Sequence, residues 1–548
     1  MLLSTAVARI LKAEGVETFT CFPNNALIEA AAVEGLRPLC ARTERVAVNI
    51  ADGLSRVSSG RRVGVTVVQY GPGTENAFGA VAQAYSDSSP LLFLPGGVER
   101  ARQGVEPNFQ AATTFGPVAK RVEVLNVPAR VALALRRAFT LLRCGRPGPV
   151  VVEIPTDVMK AEVPDELVAT YRPVVRRVPH PDPADVREAV RLLLGASAPV
   201  IMAGQGVLYA EAWDELRTLA ELAQVPVLTT LNGKSAFPED HPLALGAGGG
   251  LSHPETVAHF LRKADLVLGV GTSFTRSTFI VPIPPGKTLV QITLDERDVN
   301  KDYAIDHAVI GDARVALAQM IAEVRARLGP EGRRGQDAVA REVRAVKEAY
   351  LRAWMGRLTS DEVPLSPYRV LWDLMHTLDR RRTIVTHDAG NPRDQMIPFW
   401  EALIPHGYVG WGKSTQLGTG LGLAMGARLA APDRVVVNVM GDVAFGMVGM
   451  DVETAVRERV PILTVVLNNG LMGGYERYLP VASERYRIRY VSGEYARVGE
   501  ALGAYAERVE KPHELVGALR RALAEVEAGR PAVLEVLTRE EATYPRYL

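Results

Sequence analysis

Short apolar runs rich in β-branched residues recur down this chain, each stopped by glycine or proline and followed by a helical pattern. In the first third they read "VGVTVVQYGPG", "PLLFLPGG" and "GPVVVEIPTDV"; in the middle, "APVIMAGQGV", "ADLVLGVGTSF" and "TLVQITLDERD". The last third restarts with "RTIVTHDAGN", "DRVVVNVMGDV", "PILTVVLNNG" and "PAVLEVLT". A strand without a polar face must be covered on both sides, and strands alternating with helices pair in parallel. The pattern therefore predicts an α/β protein of three doubly wound parallel-sheet domains, at 1–168, 185–330 and 365–548. The Pro-rich stretch 171–186 reads as a linker and the charged stretch from 315 to 360 as helix. The first and last thirds are candidates for distant structural copies, although no short repeat aligns them.

Composition closes several other routes. Sixty-three basic residues against 62 acidic leave a net charge of +1, so no basic face for nucleic acid is expected. Cys21, Cys40 and Cys144 are too widely spaced to suggest a disulfide framework or a zinc cluster, which implies a reducing, cytoplasmic setting. The N-terminal stretch carries Lys12, Glu14 and Glu17 too early for a signal peptide, and no apolar run approaches the ~20 residues of a membrane span. A soluble protein is expected.

Chemistry enters at the strand tips. "VVNVMGDVAF" (436–445) ends a buried strand on Asp442, and the next buried strand ends on Asn468 and Asn469, one βα crossover later. A right-handed crossover puts both tips on one edge of the sheet, where open α/β sheets bind ligands. A carboxylate, an amide oxygen and nearby carbonyls are hard ligands suited to Mg²⁺, which commonly brings phosphate oxygens with it. Taken singly, Asp442 could cap a helix and Asn469 could start a turn. As a pair at this separation they favour a ligand site.

"GDVAF" followed at this interval by "LNNG" resembles the signature of thiamine diphosphate enzymes. The resemblance implies that Asp442, Asn469 and the Leu471 carbonyl hold Mg²⁺ on the cofactor's diphosphate, with Gly441, Val443, Ala444 and Met472 lining the same cradle. Val443 stands where the family has glycine. In "RPLCARTERVAVNIADGLSR", Glu44 falls where the family's glutamate hydrogen-bonds the aminopyrimidine ring and activates the cofactor. A glutamate sharing a proton with a ring nitrogen needs an apolar surrounding. As a bare first-turn acid behind a Thr43 cap it would need no such role. "QYGPGTENAFGAVAQAYSDSSPLLFLPGG" is similar to the family's following segment and brings in Gly71 and Asn76. "HDAGNPRDQ" looks like the diphosphate-side turn, with Gly390 and Asn391 near the phosphates. In "STQLGTGLGLAMGARLA", Leu417 falls where a large apolar residue wedges the cofactor into its bent shape.

The resemblance spans the chain in the order pyrimidine-binding, middle and diphosphate-binding domain, and is nearest to the acetolactate synthase group. Phe109 and Gln110 keep that group's "FQ", with Gln110 implied to orient substrate. Three departures suggest a rebuilt substrate pocket. Thr156 replaces a lysine, Tyr478 stands near Tyr475 in place of a tryptophan, and Asn24 and Asn25 replace glycines near the cofactor ring. The middle domain's "AGQGVL", "GAGGGLSHP" and "GTSFTR" leave FAD open there, since isolated glycines are weak evidence.

These expectations add up to a Mg²⁺- and thiamine diphosphate-dependent enzyme that decarboxylates a 2-oxo acid and ligates the product to an acceptor. The resemblance implies a homodimer at least and a homotetramer beyond it, with one cofactor reached by Glu44 and Asp442 of two subunits. A regulatory small subunit is left unspecified. The alternatives are a non-oxidative decarboxylase or lyase of the benzoylformate or oxalyl-CoA type, and a non-catalytic homologue acting as regulator or scaffold. A nicotinamide dehydrogenase would need a dinucleotide fingerprint that the first βαβ unit lacks.

Overall fold

The computed structural model describes residues 1–23 and 25–548. Its strands form three six-stranded sheets, and every pairing within them is parallel. The N-terminal sheet contains β1 (Thr18–Cys21), β2 (Arg37–Cys40), β3 (Gly64–Val68), β4 (Leu91–Gly97), β5 (Arg121–Val124) and β6 (Val150–Pro155), in the order β2-β1-β3-β4-β6-β5. The middle sheet has β7 (Pro199–Ala203), β8 (Val227–Thr230), β9 (Ala244–Gly248), β10 (Leu266–Val270), β11 (Thr288–Thr293) and β12 (His307–Ile310). The C-terminal sheet has β13 (Thr383–His387), β14 (Tyr408–Val409), β15 (Val435–Gly441), β16 (Leu463–Asn468), β17 (Tyr505–Val509) and β18 (Ala532–Leu537).

Strand order shows what sequence comparison of the two ends could not. The C-terminal sheet runs β14-β13-β15-β16-β18-β17, the same winding as the N-terminal sheet. The middle sheet differs: it runs β9-β8-β7-β10-β11-β12, with its reversal of strand order between β7 and β10. Apolar runs form these strands because both faces are covered; β3, β4, β6 and β16 are buried along their whole length. Each fully buried Val, Leu or Ile contributes about 1.5–3 kcal/mol. Among the described residues, no helix is long and apolar enough to cross a membrane.

Two further segments match the sequence pattern. The stretch after Tyr171 has no regular structure until Asp182 caps the helix Pro183–Gly195, with Ala184 N–H donating to its carboxylate at 2.7 Å. The charged region between the second and third sheets forms the helices Ala313–Leu328 and Ala338–Leu358.

The outer domains meet through the helices Glu44–Val57 and Gly420–Ala430. Their backbones approach so closely that a Cβ on Gly426 would lie 2.0 Å from the Ile50 carbonyl oxygen. Small residues are therefore required on this seam, and an alanine there would force a backbone shift of the kind that costs about 1–3 kcal/mol or more. Beside the seam, Arg56 is buried with Asp52, which it engages through Nε at 2.8 Å and Nη2 at 2.9 Å, and with Asp87 at 3.2 Å.

Candidate active site

At the C-terminal edge of the last sheet, β13, β15 and β16 are neighbours, so their tips converge. Gly441 pairs in register with Leu467, which sets Asp442 beside the turn that starts at Asn469. Asp442 is 2% exposed. Its Oδ1 accepts the Val443 N–H at 2.8 Å and its Oδ2 the Gly470 N–H at 2.7 Å. Burial pushes this carboxyl up, and the surrounding N–H groups of 443 and 469–471 oppose the shift. Asp442 is the first residue of the helix Asp442–Val448 rather than its cap, a position held by Gly441. Asn469 Oδ1 accepts the Leu471 N–H at 3.0 Å. The preceding Asn468 is occupied structurally, donating to the buried Glu535 at 2.7 Å.

Asp442 at the β15 tip thus holds the turn after β16 through the Gly470 N–H, and Asn469 and Leu471 lie on that turn. A donor set of carboxylate, amide and carbonyl oxygens suits a hard cation that keeps phosphate or water ligands. Among the described residues, no group of three or more His, Cys, Asp or Glu side chains is placed to hold a metal, so a cage of acids or thiolates is not on offer. Val443 is accommodated because its backbone is helical and needs no glycine conformation. Ala444 is buried, Met472 is 38% exposed, and a Cβ on Gly441 would meet open space.

The β13 tip supplies the other wall. Asp388, fully buried, accepts the N–H groups of Ala389 and Gly418, both at 2.8 Å, and of Gly420 at 2.9 Å. Burial pushes its carboxyl up to about 6, against the pull of these donors and of Arg45. By gripping Gly418 and Gly420 it fixes the turn that carries Leu417. Gly390 follows at φ +84°, a conformation that only glycine adopts cheaply, and it starts the helix Asn391–Met396. A Cβ on Gly473 would lie 2.3 Å from Asn391 Nδ2, so the turn after Asn469 rests against Asn391. The Tyr544 hydroxyl donates to Asn391 Oδ1.

At the N-terminal sheet's edge, Thr43 does cap its helix, accepting the Val46 N–H at 3.3 Å, and Glu44 is a first-turn acid. It is nonetheless 4% exposed, and its one hydrogen-bond partner among the described residues is the Asn76 amide at 3.3 Å. A Cβ on Gly73 would come 3.3 Å from its Oε1, so glycine leaves room around the carboxylate. Gly71 precedes Pro72–Ser86 at the tip of β3. Asn25 caps the helix Ala26–Val33 and donates to the Val68 carbonyl at 2.8 Å, tying β1 to β3. Asn24 lies outside the described residues.

The remaining candidates are placed but not gathered. Phe109 packs edge-on against Phe115, with ring centroids 6.5 Å apart, and Gln110 is exposed at the start of a short helix. Tyr475 is 52% exposed and Tyr478 66%, the latter beneath the Arg477 guanidinium at 4.6 Å. Within one chain, no hydrogen bond or ion pair joins Glu44 to Asp442, Asn469 or Asn391 among the described residues. Sequence reasoning missed Asp388, Arg45 and Tyr544. Asp388 had the same signal as Asp442, an acid ending an apolar strand; Tyr544 had none, standing 153 residues from its partner.

Three family models match the chain in order: thiamine pyrophosphate enzyme N-terminal TPP binding domain over 1–116, central domain over 186–320, and C-terminal TPP binding domain over 388–536. The acetolactate synthase large subunit of Corynebacterium glutamicum is 31% identical across 92% of this chain and 81% of its own length. A probable acetolactate synthase large subunit of Methanocaldococcus jannaschii is 28% identical across 97% and 91%. The glyoxylate carboligase of Escherichia coli O157:H7 is 29% identical across 97% and 92%.

Proposed function

Because this chain belongs to the thiamine pyrophosphate enzyme family, we propose that it is a Mg²⁺-dependent carboligase that decarboxylates a 2-oxo acid and joins the remainder to an acceptor. The observation that carries this reading is that Asp442 holds the turn bearing Asn469 and Leu471, and that this turn rests against Asn391. Asp442, Asn469 and the Leu471 carbonyl would hold Mg²⁺ with the diphosphate, and Gly390 and Asn391 would flank the phosphates. Thiamine diphosphate, when bound, supplies the electron sink that lets a 2-oxo acid lose CO₂.

The protein's part is positioning and proton control. Glu44 would share a proton with the aminopyrimidine ring nitrogen, which its burial without a cationic partner among the described residues supports. Leu417, fixed through Gly418 by Asp388, would press the cofactor into its bent shape. Gln110 and Phe109 would face the substrate, with Tyr475 and Tyr478 on its far side. Two copies of the chain would complete each site, one giving Glu44 and the other Asp442. Exposed Tyr478, Val481, Tyr486, Ile488 and Met447 around the Asp442 turn support a covered surface there.

The test is a product assay with purified protein, Mg²⁺, thiamine diphosphate and isotope-labelled pyruvate or glyoxylate. A carbon–carbon bonded product with released CO₂ is expected. Aldehyde alone would move the reading to a lyase, and untouched substrate across a 2-oxo acid panel would overturn it.

A further inference from the structure

Cys21 closes β1 and Cys40 closes β2, and the two are register partners on neighbouring parallel strands. Neighbouring strands lie about 4.8 Å apart, inside the Cα separation of about 4.4–6.8 Å that a disulfide spans. Register partners on a parallel pair point to one face of the sheet, and here the two thiols interact directly. Cys21 is 2% exposed and Cys40 is half-buried. Cys144 stands apart from them, at the end of the helix Val131–Arg143.

The pair sits at the root of two segments that carry candidate site residues. Asn25 follows Cys21 by four residues, and Glu44 follows Cys40 by four. The two strands are not equally free. β1 lies between β2 and β3: Cys21 also pairs with Val67, and the Phe22 N–H donates to the Val67 carbonyl at 3.3 Å. β2 is the edge strand. Its tip meets the C-terminal domain, where the Arg457 guanidinium donates to the Cys40 carbonyl at 2.6 Å and Asp451 accepts the Arg42 N–H at 2.8 Å. The Ala41 N–H donates to the Cys21 carbonyl at 3.0 Å, so the tips already touch. Burial raises both thiols, while Arg457 pulls both down and Glu458 pushes both up. Little thiolate is present at neutral pH, which makes exchange at this pair slow.

A bond between these tips would not be relaxed. Disulfides place Cβ atoms about 3.5–4.5 Å apart, closer than the strand spacing, so the tips must draw together. With β1 held by β3, the edge strand moves, and 41–44 move with it. A strained disulfide is reduced more readily than a structural one, which is the behaviour of a regulatory bond.

We propose that Cys21 and Cys40 form a reversible redox modification site, in which exchange with a low-molecular-weight disulfide links the two strand tips and displaces Glu44 from its working position. The Cys40 thiolate attacks the oxidant's S–S bond, forming a mixed disulfide and releasing one small thiolate. The Cys21 thiolate then attacks Cys40 Sγ, the protein S–S bond forms, and the second small thiolate leaves. Two electrons pass from the protein to the oxidant, and the two cysteine protons end on the two released thiols. A dithiol reverses both steps. The functional half of this inference rests on the reading of Glu44 above; the linkage itself does not.

Full-length protein with Mg²⁺ and thiamine diphosphate is equilibrated in glutathione buffers of rising oxidised fraction, then trapped with a thiol alkylator. Intact mass and peptide mapping should show one Cys21–Cys40 link, formed with the loss of two hydrogens, and an alkylated Cys144. CO₂ release from a 2-oxo acid that the reduced protein consumes should fall as the linked fraction rises. A displacement of about 1 Å costs up to about 100-fold in rate, so a drop of at least about tenfold in kcat is expected for the linked form. Amide exchange over 41–46 should change in the linked protein, and dithiothreitol should restore both readouts. Cys40→Ser and, separately, Cys21→Ala should keep the reduced wild-type rate in oxidised buffer. No link at any glutathione ratio, a link that leaves the rate and the exchange of 41–46 unchanged, or inactivation that persists in both variants overturns the proposal. A reduced protein that consumes no 2-oxo acid overturns the Glu44 reading instead, and the link with its change of exchange at 41–46 still decides this one.

Discussion

Replacing Asp388 by asparagine separates stability from cofactor positioning. The buried carboxyl titrates at about 6 instead of 3.8, even with three backbone donors on it. The unfolded chain gives up this proton first, so the native state holds more protons between the two values. Stability from this group is therefore present below pH 3.8 and lost as pH rises through 6. Asparagine carries no such loss, but its amide nitrogen cannot accept the Gly420 N–H, a cost of about 1–3 kcal/mol that does not vary with pH. From the two values, the variant's stability relative to wild type should rise by about 3 kcal/mol between pH 3 and pH 8. For a domain of this size, about 3 kcal/mol moves the melting midpoint by roughly 6–12 °C. The assay is thermal unfolding at a fixed scan rate, followed by tryptophan fluorescence, since Trp411 stacks on His387 with centroids 5.3 Å apart. The same variant should bind thiamine diphosphate more weakly, by about tenfold, because Gly420 loses a charged acceptor and the turn bearing Leu417 loosens. A stability difference between variant and wild type that does not move in the variant's favour as pH rises would refute the reasoning.

Three other outcomes follow from the same geometry. Mixing Glu44→Gln and Asp442→Asn chains should restore activity that neither has alone, because one of the two sites in a mixed dimer is then intact; activity that stays absent despite subunit exchange would put both residues of a site in one chain. Tyr544→Phe removes the donor to Asn391, and a neutral hydrogen bond of about 0.5–1.5 kcal/mol predicts a roughly two- to twelvefold rise in the thiamine diphosphate Kd by titration; an unchanged Kd would disconnect the tail from the site. Burial, with Arg546 and Arg262, lowers the pKa of His253, whose Nε2 accepts the Tyr547 and Leu548 N–H groups at 3.1 and 3.2 Å. Its contribution is present above the unfolded value of 6.5 and lost as pH falls through the lower folded value, so amide exchange in 543–548, corrected for intrinsic rate, should rise on acidification and stay flat in His253→Gln.

The strands were legible because burial on both faces leaves so few sequences open to them. Asp442 and Asn469 were legible for a related reason: polar residues that end such runs have to be satisfied at a known edge. Contacts across domains left no comparable trace. Asp87 joins Arg56, Gln83, Asn232 and the Lys413 backbone through folding alone, and nothing in "SDSS" marks it as a hub. Cys21 and Cys40, far apart in sequence, are register partners on β1 and β2, and burial pushes the Cys21 thiol up to about 12. Spacing rules could not see that adjacency. Asn468 and Asn469 look equivalent in sequence, and only the buried Glu535 separates their roles. Glu44 shows the limit from the other side: its helix-start position fits an ordinary first-turn acid, and its burial against a single amide is what sets it apart.

The central claim is that Glu44 runs the chemistry of a cofactor that the Asp442 turn holds. It is tested most directly by measuring bound thiamine diphosphate and CO₂ release together, for wild type and Glu44→Gln, in Mg²⁺ with a 2-oxo acid that the wild type consumes. The account predicts comparable bound cofactor in both proteins and CO₂ from the wild type alone. Wild-type rates of CO₂ release from Glu44→Gln would contradict it.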